Sequence, residues 1–186
     1  MVIVRVMDKQ RTLPNRPYSS HARGRKAPAL PAGVTPGELL RLDNQLCFAL
    51  YSASLTMTKV YKPLLASLGV TYPQYLVLLV LWETDELTVS EVGERLFLDS
   101  GTLTPLLKRL EAMGLLARRR SAQDERVVVV SLTPEGKKLR QRALAVPAEL
   151  LCAAQCSVAE IGEVTRKVQK LRGALADSVA SLQEEA

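Results

Sequence analysis

The chain has one histidine, three cysteines and few aromatic residues, and nowhere in its 186 residues is there an apolar run long enough to span a bilayer. Three cysteines and one histidine supply no adequate zinc ligand set, and they are too few for the disulfide framework of a small secreted scaffold. The N-terminus also lacks the compact apolar region and small-residue cleavage site of a secretory signal. A cytoplasmic protein with no metal, no cofactor and no membrane partner is expected. At 47% hydrophobic with only 4% aromatic, the composition suits one mostly helical domain with a real core.

Most of the chain also lacks net charge. The formal charge is +6, yet residues 1–37 hold seven basic side chains against one acid, and residues 38–186 carry 18 of each sign. The overall balance therefore gives no argument for a nucleic-acid partner, and only a local cluster can supply one. Residues 1–37, with Pro14, Pro17, Pro28, Pro31 and Pro36 among scattered arginines, show no helical periodicity and read as a disordered extension. An inert leader, an upstream start and a non-specific DNA arm all fit it.

A local cluster does exist between Asp99 and Thr133. Leu103, Leu106, Leu107, Leu110 and Met113 recur at helical spacing and leave Ser100, Thr102, Thr104, Lys108 and Arg109 partly on the other face. Short polar groups and cations are what a DNA groove requires. Gly114 ends this helix, and Leu115 to Arg120 and Val127 to Leu132 form two β-compatible runs around the polar turn 121–125. Arg118, Arg119, Arg120 and Arg126 lie along this hairpin. Upstream, Thr88-Val89-Ser90-Glu91 is a capping box opening a helix over about Val89 to Leu96, joined to the next by a brief link. Two helices at that spacing followed by a basic hairpin predict a winged helix-turn-helix, mainly α with a small β-wing. An amphipathic core helix beside an ordinary charged hairpin is the plainer alternative, and the capped upstream helix weighs against it.

Four more helices are predicted. The first runs from Glu38 to about Leu68, with Leu39, Leu42, Leu46, Leu50, Met57, Tyr61 and Leu64 on its stripe and a kink at Pro63. The second, about Pro73 to Glu83, is apolar nearly all round and belongs at the centre. Thr133-Pro134 opens a helix to roughly Gln155, bent at Pro147, and the capping box Ser157 to Glu160 opens the last, to about Leu182. Residues 38–186 are thus expected to form a single domain, with a winged part at about 73–133 and dimerisation helices at about 38–68 and 134–183. A two-fold homodimer would set two recognition helices on successive major-groove faces of double-stranded DNA, which calls for a near-palindromic operator.

The order of elements, the wing residues Asp124-Glu125-Arg126 and the segment Leu132-Thr133-Pro134-Glu135-Gly136 resemble the MarR family of bacterial transcriptional regulators over about Leu39 to Ala180. More narrowly, Leu42 to Ser52 and Leu68 to Tyr75 resemble its organic-hydroperoxide-sensing branch, the OhrR repressors. The resemblance implies a MarR-like helical dimer in which Ser100 to Thr104 read the major groove, Arg126 enters the minor groove and Asp124 orients it.

By residue type alone, Cys47 on a helix is well explained as a small buried hydrophobe. Tyr61 and Tyr72 carry phenols able to hydrogen-bond a thiolate, but on one helix Cys47 and Tyr61 lie about 21 Å apart at 1.5 Å per residue. They cannot meet within one subunit. The resemblance implies that the first helices approach antiparallel across a dimer, bringing Tyr61 and Tyr72 of one subunit to Cys47 of the other. It also implies that a low-pKa Cys47 thiolate is oxidised by an organic hydroperoxide to a sulfenic acid, which condenses with the partner subunit's Cys152. Cys152 and Cys156, four apart on one helix, would have Cβ atoms about 5 to 6 Å apart, too far for a mutual disulfide. Cys156 is then a spare or packing residue, and inert packing is the alternative for both.

The expected function is a redox-sensing repressor, not an enzyme, that leaves its operator when an organic hydroperoxide oxidises it. Two competitors stand beside it. One is a MarR-type repressor released by a small aromatic ligand, with Cys47 a bystander; the other is a thiol peroxidase.

Overall fold

The computed structural model describes residues 35–184, so the expectation for the first 34 residues lies outside the described part. Thr35 and Glu38 form a capping box: the Thr35 amide donates to Glu38 at 2.7 Å and the Glu38 amide returns to the Thr35 hydroxyl at 3.3 Å. Helix α1, Pro36–Leu39, therefore starts inside the stretch read as an extension. The long first helix expected from Glu38 is broken almost at once. The Asn44 side-chain amide donates to the Glu38 carbonyl at 2.7 Å, and that of Gln45 donates to the Leu39 carbonyl. These side-chain donors replace the backbone donors that would continue the helix. One 3-10 turn, Leu42–Asn44, follows before α2 runs unbroken from Leu46–Leu64. Pro63 sits in its last turn instead of kinking a longer helix, and Gly69, at φ +71°, turns the chain into α3.

Helix α3, Tyr72–Glu83, is central as expected, and buries Tyr75, Val77, Leu78, Val80 and Leu81. Strand β1 (Leu87–Thr88), α4 (Val89–Leu96), α5 (Ser100–Ala112), β2 (Leu116–Arg120) and β3 (Val128–Leu132) complete the winged unit. The sheet is antiparallel in the order β1-β3-β2, with Leu87 and Arg118 both opposite Val130. Strand β1 was not expected, because two residues carry no periodicity. Leu103, Leu107 and Leu110 of α5 pack with Val92, Leu116 and Val130 into the same core as α3, so the recognition helix and the wing share one foundation.

Asp85 fastens the joint between α3 and this sheet. Its carboxylate accepts the amides of Leu132 at 2.8 Å and Glu86 at 2.9 Å and pairs with Lys137 at 3.1 Å. Partial burial alone would raise its pKa; the two amides and the ammonium outweigh that and bring it below the ordinary value. With the folded pKa depressed, this stabilisation is present above the unfolded value of about 3.9 and is lost as pH falls through the folded pKa. Urea unfolding of Asp85→Asn is expected to read about 1 kcal/mol less stable than the parent at pH 7, a gap that closes on acidification towards pH 3. A gap independent of pH would exclude the carboxylate charge as its source.

The helix expected over 134–155 is two helices, α6 (Pro134–Ala143) and α7 (Val146–Ala154). Pro147 has no N–H for the Ala143 carbonyl and stands in the first turn of α7, so the bend expected there is a break. Helix α7 ends at Ala154 because Gln155 is left-handed at φ +52°. Cys156 therefore follows the turn and does not share a helix face with Cys152, which corrects the spacing argument made from an unbroken helix. Helix α8, Val158–Glu184, is the last element of the described residues and leaves Val158, Val164, Val168, Leu175, Val179 and Leu182 exposed. Among the described residues no single helix is long and apolar enough to cross a membrane.

Candidate nucleic-acid interface and cysteine site

The predicted capping box of α4 is present: the Glu91 carboxylate accepts the Thr88 amide and hydroxyl, each at 2.7 Å, and the Thr88 hydroxyl accepts the Glu91 amide at 3.2 Å. Those hydrogen bonds from Thr88 hold the Glu91 carboxyl below the usual range. The turn to α5 is tight. Phe97 is left-handed at φ +55°, and a Cβ on Gly93 would lie 2.8 Å from the Leu98 carbonyl oxygen. Asp99 then caps α5 by accepting the Thr102 amide at 2.8 Å and the Thr102 hydroxyl at 2.9 Å.

On α5, Ser100, Lys108 and Arg109 are exposed, and Thr102 and Thr104 are half-buried. The Thr104 hydroxyl donates to the Ser100 carbonyl at 2.6 Å. Both threonine protons are thus committed to Asp99 and Ser100, which leaves their oxygens as acceptors. Pro105 is exposed on the same helix, and no motif marked it.

The wing divides its arginines into two pairs. Arg118 reaches back to Glu111 with Nε at 2.8 Å and Nη2 at 2.5 Å, and Arg119 lies 3.5 Å from Glu86. Arg120 and Arg126, like Lys108 and Arg109, form no ion pair among the described residues. The basic cluster read from the sequence is therefore smaller than its count of arginines. Asp124 does hold Arg126, but through the backbone: its carboxylate accepts the Arg126 amide at 2.9 Å and shapes the wing tip.

The base of the wing is stitched to the helices on either side. Gly114 is left-handed at φ +70°, its amide donates to the Glu111 carbonyl at 2.9 Å and the Leu115 amide to the Leu110 carbonyl at 3.0 Å, a Schellman closure of α5. Thr133 donates its hydroxyl to the Gly114 carbonyl at 2.6 Å and its amide to the Leu115 carbonyl at 3.2 Å. The Trp82 indole N–H donates to the Gly136 carbonyl at 2.9 Å.

The cysteine site is divided. Cys47, Cys152 and Cys156 are all exposed, and none forms a disulfide within the subunit. The rings of Tyr61 and Tyr72 stack at 4.4 Å between centroids, with Tyr75 a further neighbour at 6.0 Å. Burial, with Tyr72 and Tyr75 adding to it, pushes the Tyr61 phenol up to about 12, and burial raises Tyr72 as well. Both phenols therefore stay protonated at neutral pH and remain hydrogen-bond donors. The structure brings Tyr61 and Tyr72 together, but Cys47 lies at the opposite end of α2, about 21 Å away along its axis.

Comparison with known proteins identifies the family. The family described as Transcriptional regulator SarA/Rot matches residues 59–143. The organic hydroperoxide resistance transcriptional regulator of Bacillus subtilis (strain 168) is 57% identical over 112 residues, 60% of this chain and 76% of that protein. The chain belongs to the MarR family of DNA-binding transcriptional regulators, in its organic-hydroperoxide branch. Two solved MarR-type structures of AbfR, a protein of Staphylococcus epidermidis, extend the match. Reduced AbfR bound to DNA is 35% identical with a TM-score of 0.63, covering 75% of this chain and 96% of that one. Disulfide-formed AbfR is 38% identical with a TM-score of 0.52, covering 73% and 95%. The winged helix-turn-helix, the mainly helical fold and the MarR resemblance expected from the sequence are thereby established.

Proposed function

We propose that this MarR-family chain is a cytoplasmic homodimeric repressor that binds a near-palindromic operator and releases it when an organic hydroperoxide oxidises Cys47. The observation that carries this reading is the unbroken α2, with Cys47 at one end and the stacked Tyr61 and Tyr72 at the other. Each subunit holds both halves of a thiol site, and they do not meet. A second copy packed antiparallel along α2 supplies the missing half. The exposed Leu42, Leu46, Tyr51 and Met57, with the apolar face of α8, offer the area such a dimer buries.

In that site the Tyr61 and Tyr72 hydroxyls donate to the Cys47 thiolate. The sulfur attacks the peroxide O–O bond, yielding an alcohol and a sulfenic acid; the partner subunit's Cys152 thiol then attacks the sulfenic sulfur, forming a disulfide and releasing water. That AbfR has been solved both reduced on DNA and in a disulfide form supports this order of states. On the DNA, Ser100, Thr102 and Thr104 meet the major groove, Lys108 and Arg109 the adjoining phosphates, and Arg126 the minor groove on the wing tip that Asp124 shapes.

Titrating the reduced protein onto a duplex from upstream of its own gene, at fixed salt, tests the reading. One equivalent of cumene hydroperoxide per subunit is expected to weaken binding by about 10² or more, and dithiothreitol to restore it. Unchanged binding sinks the switch. Steady consumption of peroxide with excess thiol would instead identify a peroxidase.

A second reading has one observation in its favour, a cavity of about 180 Å³ lined by Tyr75, Leu79, Trp82, Glu83, Arg140 and Leu144 among others. It suits a small aromatic ligand better than a drug-sized one, which needs at least about 300 Å³. Release by such a ligand would survive Cys47→Ser.

A further inference from the structure

We propose that Glu111 and Arg118 are a positioning pair for DNA binding: together they set the wing against the recognition helix, and Arg118 is not itself a DNA contact. The inference rests on the reading that α5 and the wing tip both meet DNA. Sequence pattern alone places Arg118 among the basic residues of the wing. The geometry separates it from Arg120 and Arg126.

Glu111 uses both carboxylate oxygens. Oε2 accepts Nε and Nη2 of Arg118, and Oε1 accepts the backbone amide of the same residue at 3.2 Å. One carboxylate in the last turn of α5 thus fixes the guanidinium and the backbone of β2 two residues into the strand. The Arg118 side chain is 24% exposed and that of Glu111 36%, so the pair is shielded more than the exposed Arg119–Glu86 contact at 58% and 67%. A shielded, charge-assisted pair whose two guanidinium donors converge on one oxygen, while the other oxygen takes the backbone amide, holds direction as well as distance.

Its location reinforces the point. Glu111 sits at the C-terminal end of a helix, where the peptide dipoles disfavour a carboxylate. The Arg118 side-chain hydrogen bonds outweigh the desolvation of the Glu111 carboxyl and hold it below its usual range. Between the two residues the chain passes through the left-handed Gly114 and the Schellman turn, so the pair closes a loop of six intervening residues, 112–117. Arg118 also stands opposite Val130, which is fully buried, so the fork ties the helix to the strand pair through its packed side.

Binding by Glu111→Gln gives opposite signs for the two roles. If Arg118 contacts phosphate, deleting a competing negative charge frees it, tightens binding and steepens the dependence on salt by up to about 0.9 per released cation. If the pair positions the wing, the same deletion weakens binding. The expected result for the reduced homodimer, on a duplex from upstream of its own gene, is about tenfold weaker binding, the effect of losing one charge-assisted bond. The salt slope should become shallower, as wing contacts are lost.

The reversed pair, Glu111→Arg with Arg118→Glu, keeps the net charge and is expected to recover part of the affinity. Circular dichroism and thermal unfolding of each variant report folding, and hydrogen exchange at the wing amides should rise in Glu111→Gln alone. Binding by Glu111→Gln at least as tight as the parent overturns the proposal, as does a loss that the reversed pair fails to relieve at all. Arg126→Gln serves as the reference. If that change leaves affinity and salt slope untouched, the wing does not meet DNA, and it is the reading of the interface that fails.

Discussion

Replacing Cys47 by serine is expected to leave operator binding intact and to abolish its release by organic hydroperoxide. Serine is close in size, and Cys47 lies on an exposed face at the start of α2, so neither fold nor DNA surface should change. The hydroxyl has no accessible oxidation chemistry of the thiol kind. The parent should lose about 10² or more in affinity on oxidation, since a dimer that engages only one half-site forfeits the effective concentration of the second; the variant should lose none. Mixed dimers sharpen the result. Neither Cys47→Ser nor Cys152→Ser homodimers contain a complete pair, but a dimer with one subunit of each joins an intact Cys47 to the partner subunit's Cys152. Mixing the two variants, allowing exchange and adding peroxide should therefore yield a reducible covalent dimer on a denaturing gel. Absence of that band, with the parent forming it, would exclude a disulfide between these two cysteines across the subunits.

Gly136→Ala is expected to be the most damaging small substitution in the winged unit. A Cβ at this position would lie 2.0 Å from the Leu115 carbonyl oxygen and 3.0 Å from its carbon, with Leu132 Cδ2 at 3.1 Å. The obstacle is backbone, which cannot rotate away as a side chain can. That carbonyl already accepts the Thr133 amide, while the Gly136 amide donates to the Thr133 hydroxyl at 3.1 Å and the Gly136 carbonyl accepts from Trp82. Relief of the clash must separate the start of β2 from α6 and disturb all three bonds. Overpacking costs typically 1 to 3 kcal/mol, and a backbone obstacle puts this site at about 3 kcal/mol or more. In a chain of this size that lowers the midpoint of thermal unfolding by about 6 to 12 °C. A midpoint within 2 °C of the parent, roughly the effect of an ordinary surface change, would disprove the close approach.

Much of this molecule is legible in its sequence because its elements announce themselves locally. The boxes at Thr88 and Ser157, the proline after Thr133, and the glycine at 114 are short-range signals, and each stands where the pattern put it. Long apolar stripes were a poorer guide to helix ends. The stripe from Leu39 onward runs straight over the interruption at 40–45, since hydrophobic spacing does not register that Asn44 and Gln45 cap the carbonyls of α1 with their side chains. The same blindness joined α6 to α7. At the site, residue type identified the cations of the wing but not their partners: Glu111 is seven positions from Arg118 and Glu86 is thirty-three from Arg119, and no periodicity links them. The division of Cys47 from Tyr61 was readable, because one helix and its rise per residue suffice to fix it.

The unbroken α2 also has a mechanical meaning. Nineteen residues make a rod about 28 Å long, with Cys47 near one end and the buried Leu65 just beyond the other, anchored in the core that carries α5. Tilting such a rod by about ten degrees about its thiol end sweeps the far end through about 5 Å, more than the 3.4 Å rise of one base step. In the proposed homodimer, an adjustment too small to unfold any element would thus be enough to put the two α5 helices out of step with the grooves.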